Sequence, residues 1–144
     1  MTLLKPSAGT MDASNLILIA DDDSAMRAML SVSLQHRGYG VEEYDSGTTL
    51  LAALEEMCEA GTAPSLVVSD VQMPGATGLD VLHWIGQNLP DLPVILITAF
   101  GDRRTHRRAQ ELGAVLVVDK PFSLADLENR ITQVLDERDG PIAD

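Results

Sequence analysis

Several polar residues that could take part in chemistry lie at or just after the ends of short apolar segments. The segments and the residues that follow them are 15–20 with Asp21, Asp22 and Asp23, 66–69 with Asp70, 94–97 with Thr98, and 115–118 with Lys120 and Pro121. A single aspartate in such a place is usually a turn former or a helix cap, and we expect Asp23 to cap a helix. Several carboxylates brought together repel one another, by roughly 4 kcal/mol for two charges about 4 Å apart in partly screened surroundings. Such a group persists only if it binds a cation or shifts its pKa values.

The apolar segments alternate with stretches of helical periodicity. A further strand is predicted at 40–44, and apolar residues recur at helical spacing after each strand. The residues that define the predicted helices are Met26, Met29, Leu30 and Ser33, then Leu50, Leu54 and Met57 after the N-cap Ser46, then Leu79, Leu82 and Ile85, then the segment 102–112, and last Leu127, Ile131 and Val134. This alternation predicts an α/β fold, a five-stranded parallel sheet with helices on both faces. The flavodoxin-like strand order 2-1-3-4-5 is the leading topology.

The predicted strand order brings the polar residues to one edge of the sheet. Strands 1, 3, 4 and 5 are neighbours in that order, and the ligand site of an open α/β sheet lies beyond the carboxyl ends of its strands. A site made of carboxylates favours a hard divalent cation, Mg2+ with Mn2+ as the alternative, over zinc. The chemistry that these groups allow is phosphoryl transfer. Asp70 could act as a carboxylate nucleophile, while the metal ion, Lys120 and Thr98 neutralise the phosphoryl oxygens.

Four separate motifs resemble those of one protein family. They are Ile19-Ala20-Asp21-Asp22-Asp23, Ser69-Asp70-Val71-Gln72-Met73-Pro74-Gly75, Ile97-Thr98-Ala99-Phe100 and Asp119-Lys120-Pro121-Phe122. In this order and at these spacings they resemble the receiver domains of bacterial response regulators, and the resemblance covers 15–135. The loop sequences are most similar to receivers of the nitrogen-regulation type. The resemblance implies a phosphoacceptor switch in a two-component phosphorelay, with a histidine kinase or a histidine phosphotransfer protein as the partner.

The resemblance also assigns roles around the phosphorylation site. Asp70 matches the residue that accepts the phosphoryl group. Asp22 matches the direct ligand of the Mg2+ ion, and Asp21 the acid that binds the metal mainly through water. The backbone carbonyl of Gln72 matches the third ligand that the protein provides. The resemblance therefore implies a metal site made of Asp21, Asp22, Asp70 and the Gln72 carbonyl.

The same resemblance assigns the residues that sense the phosphate, and it shows one departure from the family pattern. Thr98 and Lys120 match the phosphate-sensing pair, and the bond between Lys120 and Pro121 is a candidate for the cis isomer. The family usually has Tyr or Phe three residues before the lysine, and here that position is Val117. Coupled movement of a threonine and an aromatic side chain is therefore in doubt as the signalling route, and Phe100 is a candidate substitute.

A cluster of arginines in an acidic chain indicates a partner surface on the fourth helix, fifth strand and fifth helix. The cluster consists of Arg103, Arg104, Arg107 and Arg108. Its like charges should weaken the fourth helix, which follows Thr98 directly. The acids predicted to meet these arginines in a second copy lie on the fifth helix and are Asp126, Glu128, Asp136 and Glu137. We expect a symmetric homodimer after phosphorylation, with an acidic partner protein as the alternative.

Two other functions fit parts of this pattern. An adaptor of the same fold that is not phosphorylated normally lacks one of the acids, the threonine or the lysine, and all of them are present here. A phosphatase of the haloacid-dehalogenase type needs an acid two residues after its nucleophile, and that position is Gln72, a poor proton donor. We therefore expect no enzymatic activity beyond self-catalysed phosphotransfer and slow autodephosphorylation. The histidines, His36, His83 and His106, are expected to be solvated surface residues.

Composition restricts the location and the kinds of partner. The net charge of −12 disfavours direct binding of nucleic acid or of anionic membranes. Cys58 is the one cysteine, so no internal disulfide can form, and no apolar run approaches the length of about 18 residues that a membrane helix requires. We expect a cytoplasmic protein with a flexible leader at 1–14, the receiver domain at 15–138, and a tail or the start of a linker at 139–144.

Overall fold

The computed structural model describes residues 15–99 and 102–139. The predicted leader, most of the predicted tail and Phe100 lie outside these residues. Within them, five strands alternate with five helices. The elements in chain order are β1 (Leu16–Ala20), α1 (Ser24–His36), β2 (Gly40–Tyr44), α2 (Gly47–Glu59), β3 (Leu66–Asp70), α3 (Gly78–Asn88), β4 (Val94–Thr98), α4 (Arg103–Glu111), β5 (Leu116–Asp119) and α5 (Leu124–Asp139).

The strands form one parallel sheet in the order β2-β1-β3-β4-β5, which confirms the predicted topology. Strands β3 and β4 are buried at every residue, as expected for central parallel strands that have helices on both sides. Strands β2 and β5 lie at the two edges of the sheet. None of the helices in the described part of the chain combines the length and the apolar character that a membrane crossing requires.

The core has two halves because strand side chains point alternately to the two faces of the sheet. One half contains Leu18 and Leu96 and is covered mainly by α2 and α3. The other half contains Ile19 and is covered by α1 and α5, through residues such as Leu34 and Ile131. Helices on both faces leave the carboxyl edge of the sheet as the place where polar side chains can gather.

Helix α1 buries a different stripe from the predicted one. Its buried residues are Leu30, Ser31 and Leu34. Leu30 is the one buried member of the predicted stripe, and the side chain of Met29 is 45% exposed. Residues four apart lie on the same face of a helix, so Leu30 and Leu34 define the line of contact with the sheet. The small side chain of Ser31 beside that line lets the helix pack closely, and Met29 is turned towards solvent.

Strand β5 begins one residue later than predicted. The backbone N–H of Val115 donates to the Val94 carbonyl, but the Val115 side chain is 51% exposed. All four residues of β5 are only partly buried. An edge strand has a neighbour on one side alone, so an apolar run marks its bounds less sharply than those of a central strand.

Side-chain caps fix where the helices begin. Asp23 accepts backbone hydrogen bonds at the start of α1, and Ser46 does so at the start of α2, which confirms both predicted caps. Thr77 and Asp80 form a reciprocal capping box at the start of α3. Asp102 caps α4. Each of these four caps comes after the carboxyl end of a strand, so all of them lie at the edge of the sheet where the polar residues gather.

The loop between β3 and α3 is packed tightly against its surroundings. A Cβ atom added to Gly47, the first residue of α2, would lie 1.9 Å from the carbonyl oxygen of Ala76 in this loop. A Cβ atom added to Gly78 would lie 2.5 Å from the carbonyl oxygen of Asp70. Both glycines are required by close approach of the backbone rather than by an unusual φ angle. The loop that follows Asp70 is therefore fixed from two sides.

This packing predicts opposite effects for two glycine substitutions. Gly47→Ala should lower the free energy of unfolding by about 1–3 kcal/mol, because the new methyl group must displace the loop backbone. Gly86→Ala at an exposed position of α3 is the control, because its Cβ would have only an ordinary contact at 3.9 Å from the Leu112 carbonyl oxygen. It should raise stability by about 0.5–1 kcal/mol through helix propensity. Urea unfolding of both variants measures these changes, and a Gly47→Ala midpoint equal to that of the wild type would contradict the close packing.

Candidate functional site

Asp21 and Asp22 lie at the turn that follows β1. The Asp21 N–H donates to the Tyr44 carbonyl oxygen at 3.1 Å, which extends the contact with β2 by one residue. Asp21 is only 2% exposed, whereas Asp22 is exposed. The Asp21 carboxylate accepts a hydrogen bond from the Asp23 N–H at 2.9 Å through Oδ1. The turn therefore presents one buried and one accessible carboxylate.

Asp70 is the last residue of β3 and is 4% exposed. Its Oδ1 atom accepts a hydrogen bond from the Gln72 N–H at 3.1 Å. Its Oδ2 atom accepts one from Lys120 Nζ at 2.7 Å. Both oxygens of the carboxylate are thus oriented, one by the loop after β3 and the other by the residue after β5.

The structure brings the three predicted acids together. One carboxylate oxygen from each of Asp21, Asp22 and Asp70 lies within 4.8 Å of the other two. Lys120 Nζ is 3.7 Å from Asp21 Oδ2, so one ammonium group faces up to three negative charges. The Asp21 Oδ2 atom is fully buried and accepts no hydrogen bond from the described residues. A buried, unsatisfied carboxylate oxygen is costly unless a cation binds it, and an all-oxygen donor set suits Mg2+.

The electrostatic environment shifts two pKa values in this cluster. Burial raises the pKa of Asp21, the hydrogen bond from the Asp23 N–H opposes this rise, and the negative charge of Asp70 adds to it. Burial alone would lower the pKa of Lys120, but the hydrogen bond and the charge of Asp70 outweigh it, so this pKa is raised. The carboxylate of Asp70 thus favours the charged form of Lys120, whereas burial disfavours the charged form of Asp21.

Thr98 ends β4, the strand beside Asp70, and Lys120 follows β5, the next strand of the sheet. Asp70 is opposite Ile97 in the register between β3 and β4, which places Thr98 one residue further along at the end of β4. Thr98 is 1% exposed, and its carbonyl oxygen accepts the Lys120 N–H at 2.8 Å. The peptide bond between Lys120 and Pro121 is cis. The residues predicted to sense the phosphate thus lie on one side of the predicted phosphoacceptor, opposite the side of β1.

The predicted partner surface forms a separate feature on α4. Its arginines, Arg103, Arg104, Arg107 and Arg108, are all exposed. Ala109 is the one buried residue of α4. Arg108 forms an ion pair with Glu111 at 3.5 Å in the same helix. The weak burial of α4 agrees with the expectation of a weakly held helix.

Two details around this surface differ from the sequence interpretation. Glu128 was predicted to face the arginines of a second copy, but it pairs with Arg37 at 3.2 Å and therefore faces α1 in its own chain. His106 was expected to be a solvated surface residue, but its Nε2 atom is 2.6 Å from Asp119 Oδ1. The contact between His106 and Asp119 joins α4 to the residue immediately before Lys120.

Val117, at the position where the family usually has an aromatic residue, is partly buried in the half of the core that contains Leu18.

Sequence reasoning also missed Arg27 on α1. Its Nη1 atom donates to the carbonyl oxygen of Asp21 at 2.6 Å, and its Nε atom is 3.3 Å from Glu43 Oε1 on β2. The spacing of Arg27 offered a weak signal, since it lies about one helical turn after the cap Asp23 and helical side chains tilt towards the N-terminus of their helix. The link to Glu43 depends on the pairing of β1 with β2 and could not be inferred from the local sequence.

Comparison with known proteins supports one family. The family model for the response regulator receiver domain matches residues 17–132. The transcriptional regulatory protein FixJ of Bradyrhizobium diazoefficiens is 33% identical over 126 residues, which cover 88% of this chain and 57% of FixJ. The regulator NtrC of Rhizobium meliloti is 39% identical over 121 residues, which cover 84% of this chain and 24% of NtrC. The chain therefore spans about half or less of the length of these relatives.

Solved structures show the same architecture. A CheY-like receiver domain from Methanospirillum hungatei superposes with a TM-score of 0.79 at 26% identity, covering 88% of this chain and 97% of that one. The receiver domain dimer of NtrC4, activated with beryllofluoride, gives a TM-score of 0.75 at 29% identity, covering 86% and 98%. Together with the family match, these similarities show that the chain belongs to the response regulator receiver domains, the phosphoacceptor domains of two-component signalling.

Proposed function

We propose that this chain is a phosphorylation switch in which Asp70 accepts a phosphoryl group from a histidine kinase or a histidine phosphotransfer protein. The observation that carries the proposal is the convergence of buried Asp21, exposed Asp22 and buried Asp70 near one lysine, with an unsatisfied oxygen on Asp21. A structural role does not explain such a group, because its charges oppose folding until a cation binds.

The orientation of Asp70 suits nucleophilic attack on phosphorus. One Asp70 carboxylate oxygen forms a bond to phosphorus as the bond to the donor nitrogen breaks, and the electron pair stays on the histidine ring. The product is an acyl phosphate. Lys120, at 2.7 Å from Oδ2, is placed to neutralise a phosphoryl oxygen, and the hydroxyl group of Thr98 is the candidate donor to another.

The residues that would hold Mg2+ are Asp21, Asp22, Asp70 and the Gln72 backbone carbonyl. When bound, the ion supplies positive charge to the phosphoryl oxygens during transfer. Asp21 would contribute a buried carboxylate, one oxygen of which accepts no hydrogen bond from the described residues. Asp22 is exposed and leaves the site accessible to solvent. The tight loop after Asp70 keeps the Gln72 backbone beside the phosphoacceptor, because its N–H already contacts Oδ1.

The phosphodonor is proposed to approach over an apolar groove beside Lys120. The residues that line this groove with Lys120 are Met26, Met29, Ala99, Pro121 and Phe122. Met29 is 45% exposed there, although it belongs to a helix that packs on the sheet. An exposed apolar patch next to a reactive carboxylate is suited to a protein donor rather than to a small anion alone. Met26 and Met29 of α1 thus form one side of the proposed docking groove.

The output surface is proposed to be the face of α4, β5 and α5. Helix α4 is held to the sheet by Ala109 and by the contact between His106 and Asp119. Asp119 immediately precedes Lys120, so a movement of Lys120 towards a bound phosphoryl group acts directly on this contact. Asp119 of β5 lines one cavity with Arg103 and Arg107 of α4 and another with Asp126 of α5. The charges on this face suit a symmetric homodimer in the phosphorylated state.

Asp70→Asn should abolish phosphorylation by acetyl phosphate in the presence of Mg2+, because an amide is not a nucleophile of comparable strength. The fold should remain, since asparagine keeps the size of the side chain. Labelling can be followed by intact-protein mass spectrometry, with Asp91→Asn in the exposed loop before β4 as the control. Retained labelling of Asp70→Asn at another residue would contradict the assignment.

The double variant Arg104→Glu/Arg108→Glu should lose the dimer that we expect beryllofluoride and Mg2+ to produce in the wild type. The new glutamates of one copy would face the acids of α5 in the other copy and repel them. Analytical ultracentrifugation measures this change. Arg37→Glu, whose arginine pairs with Glu128 on the α1 side, is the control and should still dimerise. Adding Asp126→Lys and Glu137→Lys to the double variant should restore association. A wild type that stays monomeric when activated would exclude the dimer.

A further inference from the structure

Arg27 joins three parts of the chain at the edge of the acidic group. It lies in the second turn of α1, and its side chain is 17% exposed. Its guanidinium group donates from Nη1 to the Asp21 carbonyl oxygen at 2.6 Å. The same group donates from Nε to Glu43 Oε1 at 3.3 Å. Arg27 thus links α1, the turn after β1 and strand β2.

The hydrogen bond from Nη1 acts on the peptide group that connects Asp21 to Asp22. The Asp21 carbonyl belongs to that planar group, so holding the oxygen fixes the direction in which the chain leaves Asp21 and reaches the Cα atom of Asp22. The N–H of Asp21 is already held by the Tyr44 carbonyl oxygen. With both of its backbone polar groups bonded, Asp21 cannot rotate without breaking one of these contacts.

We propose that Arg27 is a positioning residue for Mg2+ binding: it fixes the peptide group between Asp21 and Asp22 and so sets the relative orientation of their carboxylates. The proposal rests on the proposed function, because it takes these acids to be metal ligands. Arginine suits this task because its planar group can hold a carbonyl and a carboxylate at the same time. Glu43 is 37% exposed, and its contact with Nε keeps the guanidinium plane aimed at the turn.

A second role of Arg27 predicts the opposite effect on metal binding. If Arg27 only reduced the repulsion among the acids through its charge, its removal would make the site more negative and tighten Mg2+ binding. If Arg27 positions the ligands, its removal loosens the turn and weakens Mg2+ binding. Loss of a group that orients metal ligands typically has this effect. The direction of the change therefore separates the two roles.

The experiment compares Mg2+ dissociation constants from NMR titration of the wild type with those of Arg27→Gln, Arg27→Lys and the control Arg37→Gln. Arg37 lies at the other end of α1 and contacts α5 through Thr132, Asn129 and Glu128, so its replacement removes the same charge without touching the turn. We expect binding to weaken by about tenfold in Arg27→Gln and by about threefold in Arg27→Lys, which keeps the charge but not the planar fork. The Mg2+ dissociation constant of Arg37→Gln should stay within about twofold of the wild-type value, because the charge of Arg37 is exposed and therefore screened by solvent and salt.

A second measurement needs no metal ion. The amide nitrogen shift of Asp22 reports the hydrogen bond on the preceding Asp21 carbonyl, so in chelator it should change in both Arg27 variants and not in Arg37→Gln. Tighter or unchanged Mg2+ binding in Arg27→Gln, or an unchanged Asp22 shift, would overturn the positioning role and leave the proposed function intact. A wild type that binds no Mg2+ would overturn both. If Arg27→Gln does not fold, the comparison of Arg27→Lys with the wild type decides the question.

Discussion

The structure depends on one electrostatic constraint: three carboxylates converge on one lysine at the carboxyl edge of a parallel sheet. Asp21 is buried there, and one of its oxygens has no hydrogen bond from the described residues. Desolvation and the nearby charge of Asp70 both disfavour its ionised form, so its pKa is raised. The receiver fold therefore holds together a group of carboxylates whose mutual repulsion is unfavourable in the absence of a cation.

The surrounding elements hold the three carboxylates close together although they repel one another. The turn after β1 is held by Tyr44 through the backbone and by Arg27 through its side chain. The loop after β3 is wedged between Gly47 at the start of α2 and the end of its own strand. Central strands buried on both faces cannot slide, because any shift would expose apolar side chains. By contrast, Ala109 is the one buried residue of α4, and the contact of this helix through His106 reaches Asp119, the neighbour of Lys120.

The fold and the site acids were predictable because their signals are local. Apolar runs marked the central strands, and short polar residues at helical starts, such as Asp23 and Ser46, marked the caps. The convergence of Asp21, Asp22 and Asp70 followed from strand order alone. What the sequence did not reveal depends on rotation or on distant pairing. The stripe that α1 buries is set by a small helical rotation, and the contacts of Arg27 with Glu43 and of His106 with Asp119 join elements that are separated in sequence.

The most direct test of the central claim is the denaturation midpoint of the wild type and of Asp21→Asn, each with chelator and with Mg2+. Asparagine has the shape of aspartate without its charge. We predict that Asp21→Asn is more stable than the wild type in chelator. Mg2+ at ten times its dissociation constant should stabilise the wild type by about 1.4 kcal/mol, and Asp21→Asn by less. An Asp21→Asn variant that is less stable in chelator, together with a wild-type midpoint that Mg2+ does not change, would contradict the account.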